Sequence, residues 1–485
     1  MNLRQKTYRA LFWSFIDKAG EQVLRFGFSI VLARLLPPEY FGLIGIALVI
    51  TELSKVLVQS GFGLALINNQ NATKVDECSV FFFNLFMGFF TTSLIFIFSP
   101  YVAEFYNLPE LVSIIRALSA TVFISSFGTI QTVLLTKNIN FRSQTKVGLP
   151  ATILSGIIGI FFAYMGFGVW ALVYQTLVRS ILVTSFLWIV NKWRPQLVFS
   201  FSAIGNMFAF GSKLLLGSIF QMLFDNLYII LIGKLFAPAQ LGFYTKAKQM
   251  QQLPISAMWN IVARVAYPVM SALKHDQTKF RHTISKASSS IAFVVFPFFT
   301  IGALIAPRVF RIILGETWMP SVPLFQILCF ANILLPLEHL RNSTILAKGN
   351  SSLYLKLLCF KNSLILFSAL ISFSWGINGM LIAFGIASYT QFFVSSYYAS
   401  IETGYTIFSQ ISDTIPYALS TTVAAAATLL ISSIYPSTSV FSVILVSFTG
   451  FSTYVLCGFI IKLEALKESF EAITPIFSKF VKVKA

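Results

Sequence analysis

Leu32-Ala33-Arg34-Leu35-Leu36-Pro37-Pro38-Glu39-Tyr40-Phe41-Gly42 returns 200 residues later as Ile232-Gly233-Lys234-Leu235-Phe236-Ala237-Pro238-Ala239-Gln240-Leu241-Gly242, with the basic residue, Leu, Pro and Gly in register. A fixed offset of this kind is read as an internal repeat. Six apolar spans separate the copies, so both halves are expected to have the same topology and to be related by an axis along the membrane normal. Parallel repeats of this sort are a transporter architecture, with the binding site between the halves.

The rest of the chain agrees with a membrane setting. Of 485 residues, 56% are hydrophobic and 11% charged, and mean hydropathy is +0.79. A soluble domain is about 25% charged, so too few polar residues are present to cover a water-facing surface. Apolar runs fall near residues 10–33, 41–67, 79–103, 111–136, 148–166 and 168–190, then 206–234, 241–272, 287–314, 323–347, 354–374, 378–400, 412–434 and 439–462. The expected fold is an all-α polytopic membrane protein of about fourteen spans at roughly 20 residues each. Two six-helix bundles are expected at 1–199 and 200–405, related by the pseudo-two-fold axis, with two further spans in 406–462 and a cytoplasmic tail over 463–485. Short connections leave no room for a large soluble catalytic domain or a nucleotide-binding cassette.

The net charge of +18, from 35 Lys and Arg against 17 Asp and Glu, would suggest nucleic acid in a soluble protein. Here it fits cytoplasmic loops. With the N-terminus inside, expected inner segments hold about three Lys or Arg for each one outside, which puts both termini in the cytoplasm and excludes a nucleic-acid partner. Cys78, Cys329, Cys359 and Cys457 are scattered without metal or disulfide spacing. The first apolar stretch carries Asp17, Lys18, Glu21 and Arg25, so a cleavable signal peptide is not expected. The tail after Leu463 mixes Lys467, Lys479, Lys482 and Lys484 with Phe and Ile and reads as an interfacial helix.

Charges inside the spans are the informative residues, because each costs roughly 2.5–3.5 kcal/mol at mid-membrane and such groups usually face a bundle interior or a wet cavity. On span 1, Ser14, Asp17, Glu21 and Arg25 recur at three- and four-residue intervals and share one face. Arg25 lies about 24 Å along the helix from Arg9. Either these groups pair along their own helix, or they line a polar wall. Span 7 favours the wall, since Lys213, Gly217, Gln221 and Asp225 are spaced by four and overlie the span 1 stripe at the repeat offset. Glu52, Lys55 and Gln59, Gln175 and Arg179, and Gln252, Asn260 and Arg264 are further candidates. Together Arg25, Lys55, Arg179, Lys213 and Arg264 supply cations for a diphosphate-sized anion. Glu21, Glu52 and Asp225 are candidates for binding a coupling ion. His275, His282 and His339 read as surface or structural residues.

No GxxxxGK[ST], HExxH or GxSxG motif occurs, so no catalytic residue and no metal or organic cofactor is expected. A membrane glycan polymerase would need an extended outer loop; Arg308, Arg311 and Glu316 are its only compact candidates.

The Leu32–Gly42 motif, with Trp13-Ser14 before it and Ser60-Gly61-Phe62-Gly63-Leu64-Ala65-Leu66-Ile67 after it, resembles the opening of polysaccharide biosynthesis proteins of the Wzx and colanic-acid-exporter type. Gln252-Leu253-Pro254, Arg264-Val265-Ala266-Tyr267-Pro268, Phe296-Pro297 and Gly315-Glu316-Thr317-Trp318 resemble the middle of the same family, which belongs to the multidrug/oligosaccharidyl-lipid/polysaccharide exporter superfamily. The resemblance implies a flippase for undecaprenyl-diphosphate-linked oligosaccharide in the bacterial inner membrane. It would serve O-antigen, capsule or exopolysaccharide export by alternating access, coupled to H⁺ or Na⁺. Partners would be membrane lipids, a polysaccharide polymerase and a chain-length regulator. The competing expectation within the superfamily is a cation-coupled small-molecule exporter.

Overall fold

A computed structural model describes residues 3–59, 61–69, 71–261, 267–273 and 275–467. Every regular element among them is helical. In chain order these are α1 (Leu3–Leu35), α2 (Pro38–Gln59), α3 (Phe62–Asn68), α4 (Lys74–Tyr106), α5 (Leu111–Lys137), α6 (Phe141–Tyr164), α7 (Val169–Val190), α8 (Phe201–Asp225), α9 (Leu227–Leu235) and α10 (Pro238–Ile261). There follow α11 (Tyr267–Ala272), α12 (Gln277–Ile313), α13 (Ser321–Ala331), α14 (Leu335–Ala347), α15 (Ser351–Ser372), α16 (Gly376–Thr403), α17 (Ile407–Ser412), α18 (Ile415–Ile434) and α19 (Val440–Ile461).

The repeat is realised to the residue. Helix α1 ends at Leu35 and α2 opens on Pro38, while α9 ends at Leu235 and α10 opens on Pro238. Proline has no N–H to lose in the first turn of a helix and cannot continue the preceding one, so the same Pro sets the same break twice. Elsewhere local capping fixes the starts. Thr73 and Asp76 form a reciprocal capping box on α4, with the Thr73 N–H donating to Asp76 Oδ2 at 2.8 Å.

Among the described residues, ten helical stretches are long and apolar enough to cross a membrane, or eleven if the bent pair 201–208 and 211–225 is one span. This number, counted by length and apolar composition, does not confirm the expected fourteen. In that number α15 and α16, joined by the short turn Phe373–Trp375, form one stretch, and the charged α1 and polar α10 do not qualify. Several expected spans are broken. Gly61, at φ +71°, separates α2 from α3, and single-residue or short breaks at Asn226 and Asn332 separate α8 from α9 and α13 from α14. Large apolar side chains such as Phe86, Phe89, Phe96 and Ile97 on α4 point outward and exposed, a surface that water would not tolerate over such an extent. The chain is a multi-pass membrane protein.

Two compact units make up the chain, Met1–Thr245 and Lys246–Ala485. In the first, α4 packs on α5, α6 on α7, and α1 on α6. Small residues allow this close approach, as membrane helices require: a Cβ on Gly88 would lie 2.6 Å from Ser126, and one on Gly156 would lie 2.4 Å from the Phe28 ring. The ten-residue connection before α8 is pinned to the start of α4, by Trp193 Nε1 donating to Glu77 Oε2 (2.8 Å) and Ser200 N–H donating to Ser79 Oγ (2.9 Å). In the second unit, α12 packs against α13, α14, α18 and α19, and α16 against α13, α14 and α15. Leu463 and Leu466 close this core; the rest of the expected tail helix, from residue 468, lies outside the described residues.

Candidate functional site

Three of the predicted residues meet on one carboxylate in the first unit. Glu21 on α1 accepts from Arg25 Nη2, one turn along the same helix, at 2.7 Å, and from Arg179 Nη2 on α7. The stripe thus pairs along its own helix and also reaches across to a second one. The side chains of Glu21 and Arg179 are 15% and 32% exposed, whereas that of Arg25 is 52% exposed. Arg179 Nε has no hydrogen-bond partner among the described residues, and Glu52 on α2 lies within electrostatic reach of Arg179.

The other candidates fall in different places. Asp17 is buried against α6, where a Cβ on Gly148 would sit 3.4 Å from its Oδ1. Lys55 pairs with Glu52 at 2.6 Å along α2. Lys213, Gln221 and Asp225 stay on the exposed row of α8, with Gln221 Nε2 donating to Asp225 Oδ1 at 2.8 Å. Arg264 lies outside the described residues, as does the side chain of Asn260.

The cations are therefore not bare. Arg25 and Arg179 share Glu21, and Lys55 has Glu52, so an anion would bind here by exchange. A phosphate oxygen could take the place of a carboxylate oxygen on a guanidinium, since both groups present two oxygens spaced to match the Arg fork. Of the two guanidinium groups on Glu21, that of Arg25 is the more exposed.

Glu338, Arg341 and Lys361 are not among the candidates named from the sequence. The structure buries the first two at 1% exposure. Lys361 Nζ on α15 donates to Glu338 Oε1 (3.0 Å) and Oε2 (3.2 Å). Arg341 donates from Nε to Gln410 Oε1 (2.7 Å) and from Nη1 to Ser288 Oγ (3.0 Å). A signal was present: Glu338, Arg341 and Asn342 recur at three and four residues, the same stripe rule that picked out span 1. Lys246, also buried, holds its ammonium 5.4 Å over the Trp318 ring, which gives the Gly315–Trp318 motif a packing role.

Similarity to known proteins agrees with this architecture. Residues 31–323 match the family model described as polysaccharide biosynthesis protein. The teichuronic acid biosynthesis protein TuaB of Bacillus subtilis is 26% identical over 362 residues, covering 73% of this chain and 68% of that protein. The lipopolysaccharide biosynthesis protein WzxC of Escherichia coli is 25% identical over 371 residues, covering 75% and 74%. Among solved structures, the lipid II flippase MurJ in an inward closed conformation superposes with TM-score 0.73 at 13% identity, covering 93% of this chain and 98% of that one. An inward-facing multidrug resistance MATE family transporter gives 0.62 at 17% identity, covering 79% and 94%. With the family model matched over residues 31–323, more than half of the chain, this chain belongs to the polysaccharide biosynthesis protein family.

Proposed function

We propose that this protein is a flippase that carries undecaprenyl-diphosphate-linked oligosaccharide repeat units from the cytoplasmic to the outer leaflet of the bacterial inner membrane. The observation that carries the reading is family membership over residues 31–323, joined to the MurJ-like fold. Names of relatives point to surface polysaccharides: teichuronic acid, succinoglycan and lipopolysaccharide. Export of such a unit rearranges no covalent bond, so the chain acts as a carrier and not as an enzyme. The orientation with both termini cytoplasmic follows from the Lys and Arg bias.

The diphosphate engages Arg25 first and then Arg179, displacing Glu21. Lys55 and Lys213 add positive charge, while Asp17, Gln221 and Asp225 offer acceptors and donors to sugar hydroxyls. The polyprenyl tail stays in the lipid while the repeat-related halves alternate access. Glu21 freed from its arginines, with Glu52 and Asp225, can take the coupling H⁺ or Na⁺; no other cofactor takes part. A polymerase and a chain-length regulator on the outer face receive the product, and nucleic acid has no part.

The test is the leaflet distribution of polyprenyl-diphosphate-linked glycan in inverted vesicles, with and without the protein and with Arg25→Ala. Protein-dependent transfer that Arg25→Ala weakens is expected. No transfer with the cognate glycan would shift the reading to the small-molecule exporter, whose fold the MATE neighbour shares. A lengthened glycan would indicate a polymerase.

A further inference from the structure

The second unit contains a carboxylate that neither the repeat nor the diphosphate site uses. Glu338 on α14 is buried, and Lys361 from α15 is the cation paired with it among the described residues. A buried ion pair gains little over apolar side chains of the same volume, because both charges are desolvated. An ionisable group within a membrane helix is by default a functional candidate.

The surroundings of Glu338 suit two protonation states. In its charged form the carboxylate accepts from Lys361 Nζ and, at 3.5 Å, from Asn342 Nδ2 one turn along α14. The other end of that amide, Asn342 Oδ1, is buried and has no hydrogen-bond partner among the described residues. A buried unpaired acceptor calls for an explanation. Rotating the amide by half a turn would bring Oδ1 to Glu338 Oε1. Two oxygens facing one another repel unless one carries a proton, so this arrangement satisfies a neutral Glu338, whose O–H donates to Asn342 Oδ1. Lys361 is then released.

We propose that Glu338 is a proton-carrying residue of the transport cycle, exchanging a Lys361 ion pair for a proton held against Asn342. The inference rests on the transporter reading above. The proton comes from water on one side of the membrane and leaves to water on the other. Ionisable groups that bear on the pair are Lys361 from α15 and His339 and Arg341 from α14, the latter in the field of Asp413 and Tyr405. Helices α12 and α16 meet α14 nearby with the neutral Ser288 and Phe392, both against Arg341.

Two measurements on the purified full chain test this. Infrared difference spectroscopy on acidification detects the carbonyl stretch of a newly protonated carboxyl and needs no substrate. A band present in the wild type, lost in Glu338→Gln and kept in Glu21→Gln is expected; an undiminished band in Glu338→Gln overturns the proposal. Should Glu338→Gln not fold, Asn342→Leu leaves the ion pair in place and removes the acceptor for the neutral form, so its band should change in frequency; an unchanged band there also overturns it. In proteoliposomes, movement of undecaprenyl diphosphate under an imposed pH gradient should lose its gradient-driven part in Glu338→Gln and keep the downhill part. Gradient-driven movement equal to wild type refutes the role. If the wild type shows the Glu338 band yet moves no lipid diphosphate, the flippase reading fails while the proton site stands.

Discussion

Gly42 and Gly242 face each other across the two copies of the repeat, and each is closed upon by the other copy's proline. A Cβ built on Gly42 would lie 2.0 Å from the Pro238 carbonyl oxygen, and one on Gly242 would lie 1.9 Å from that of Pro38. Reciprocal contact of equivalent residues is the signature of a two-fold relationship. The same offset recurs one turn on, where a Cβ on Gly45 would be 3.2 Å from Thr245 Cγ2. The motif Leu32–Gly42 is thus half of a backbone-to-backbone seam, and its other half is its own repeat.

Gly42→Ala and Gly242→Ala should each force this seam apart. Backbone atoms cannot step aside as a flexible side chain can, so each substitution should cost about 1–3 kcal/mol as an overpacking change. Thermal unfolding in detergent measures it. The double variant should cost less than the sum, because the first alanine already opens the contact the second would clash with; strict additivity would argue against a shared seam.

Glu21→Gln leaves two guanidinium groups together without their carboxylate. The expected destabilisation is about 1–3 kcal/mol, as for lost hydrogen bonds to charged groups. Arg179→Ala should cost more than Arg25→Ala, since Arg25 is largely open to solvent and exposed pairs contribute about 0–1 kcal/mol. Chemical denaturation of the three variants checks the order.

Trp193→Phe removes the indole N–H that reaches Glu77 while retaining the ring packed on Phe81. The change should cost about 1 kcal/mol. It should also loosen the connection that carries Leu197, a side chain 96% exposed, so hydrogen exchange at 194–200 should rise. Unchanged protection there would show that the hydrogen bond does not hold the connection.

Asp276 caps α12 just before its membrane-crossing part. Its carboxylate accepts from the Lys279 backbone N–H (3.1 Å) and pairs with Lys279 Nζ (2.9 Å), and these contacts lower its pKa. A pKa lower in the folded state than in the unfolded one means that the contribution is complete above the unfolded value of about 3.9 and is lost as pH falls through the folded value. Protection of the first-turn amides of α12 should therefore fall in acid below about pH 4. Asp276→Asn, which can still cap, should lose that pH dependence.

The membrane class, the helix breaks at Pro38 and Pro238 and the polar face of α1 are legible before folding, because composition and periodicity are properties of one segment at a time. A four-residue spacing says that Glu21 and Arg25 share a face. It does not say what opposes them. That Arg179, 158 residues away, is the second partner of Glu21 was decided only by α7 packing near α1. The same holds for Glu338 and Lys361, which in sequence resemble loop charges at the ends of spans and become an ion pair when α14 and α15 fold together. Periodicity marked Lys213, Gln221 and Asp225 as a stripe too, yet α8 leaves that row exposed. Helix geometry fixes which side chains point the same way, whereas which neighbour covers them depends on how distant helices pack, and only the tertiary structure holds that information.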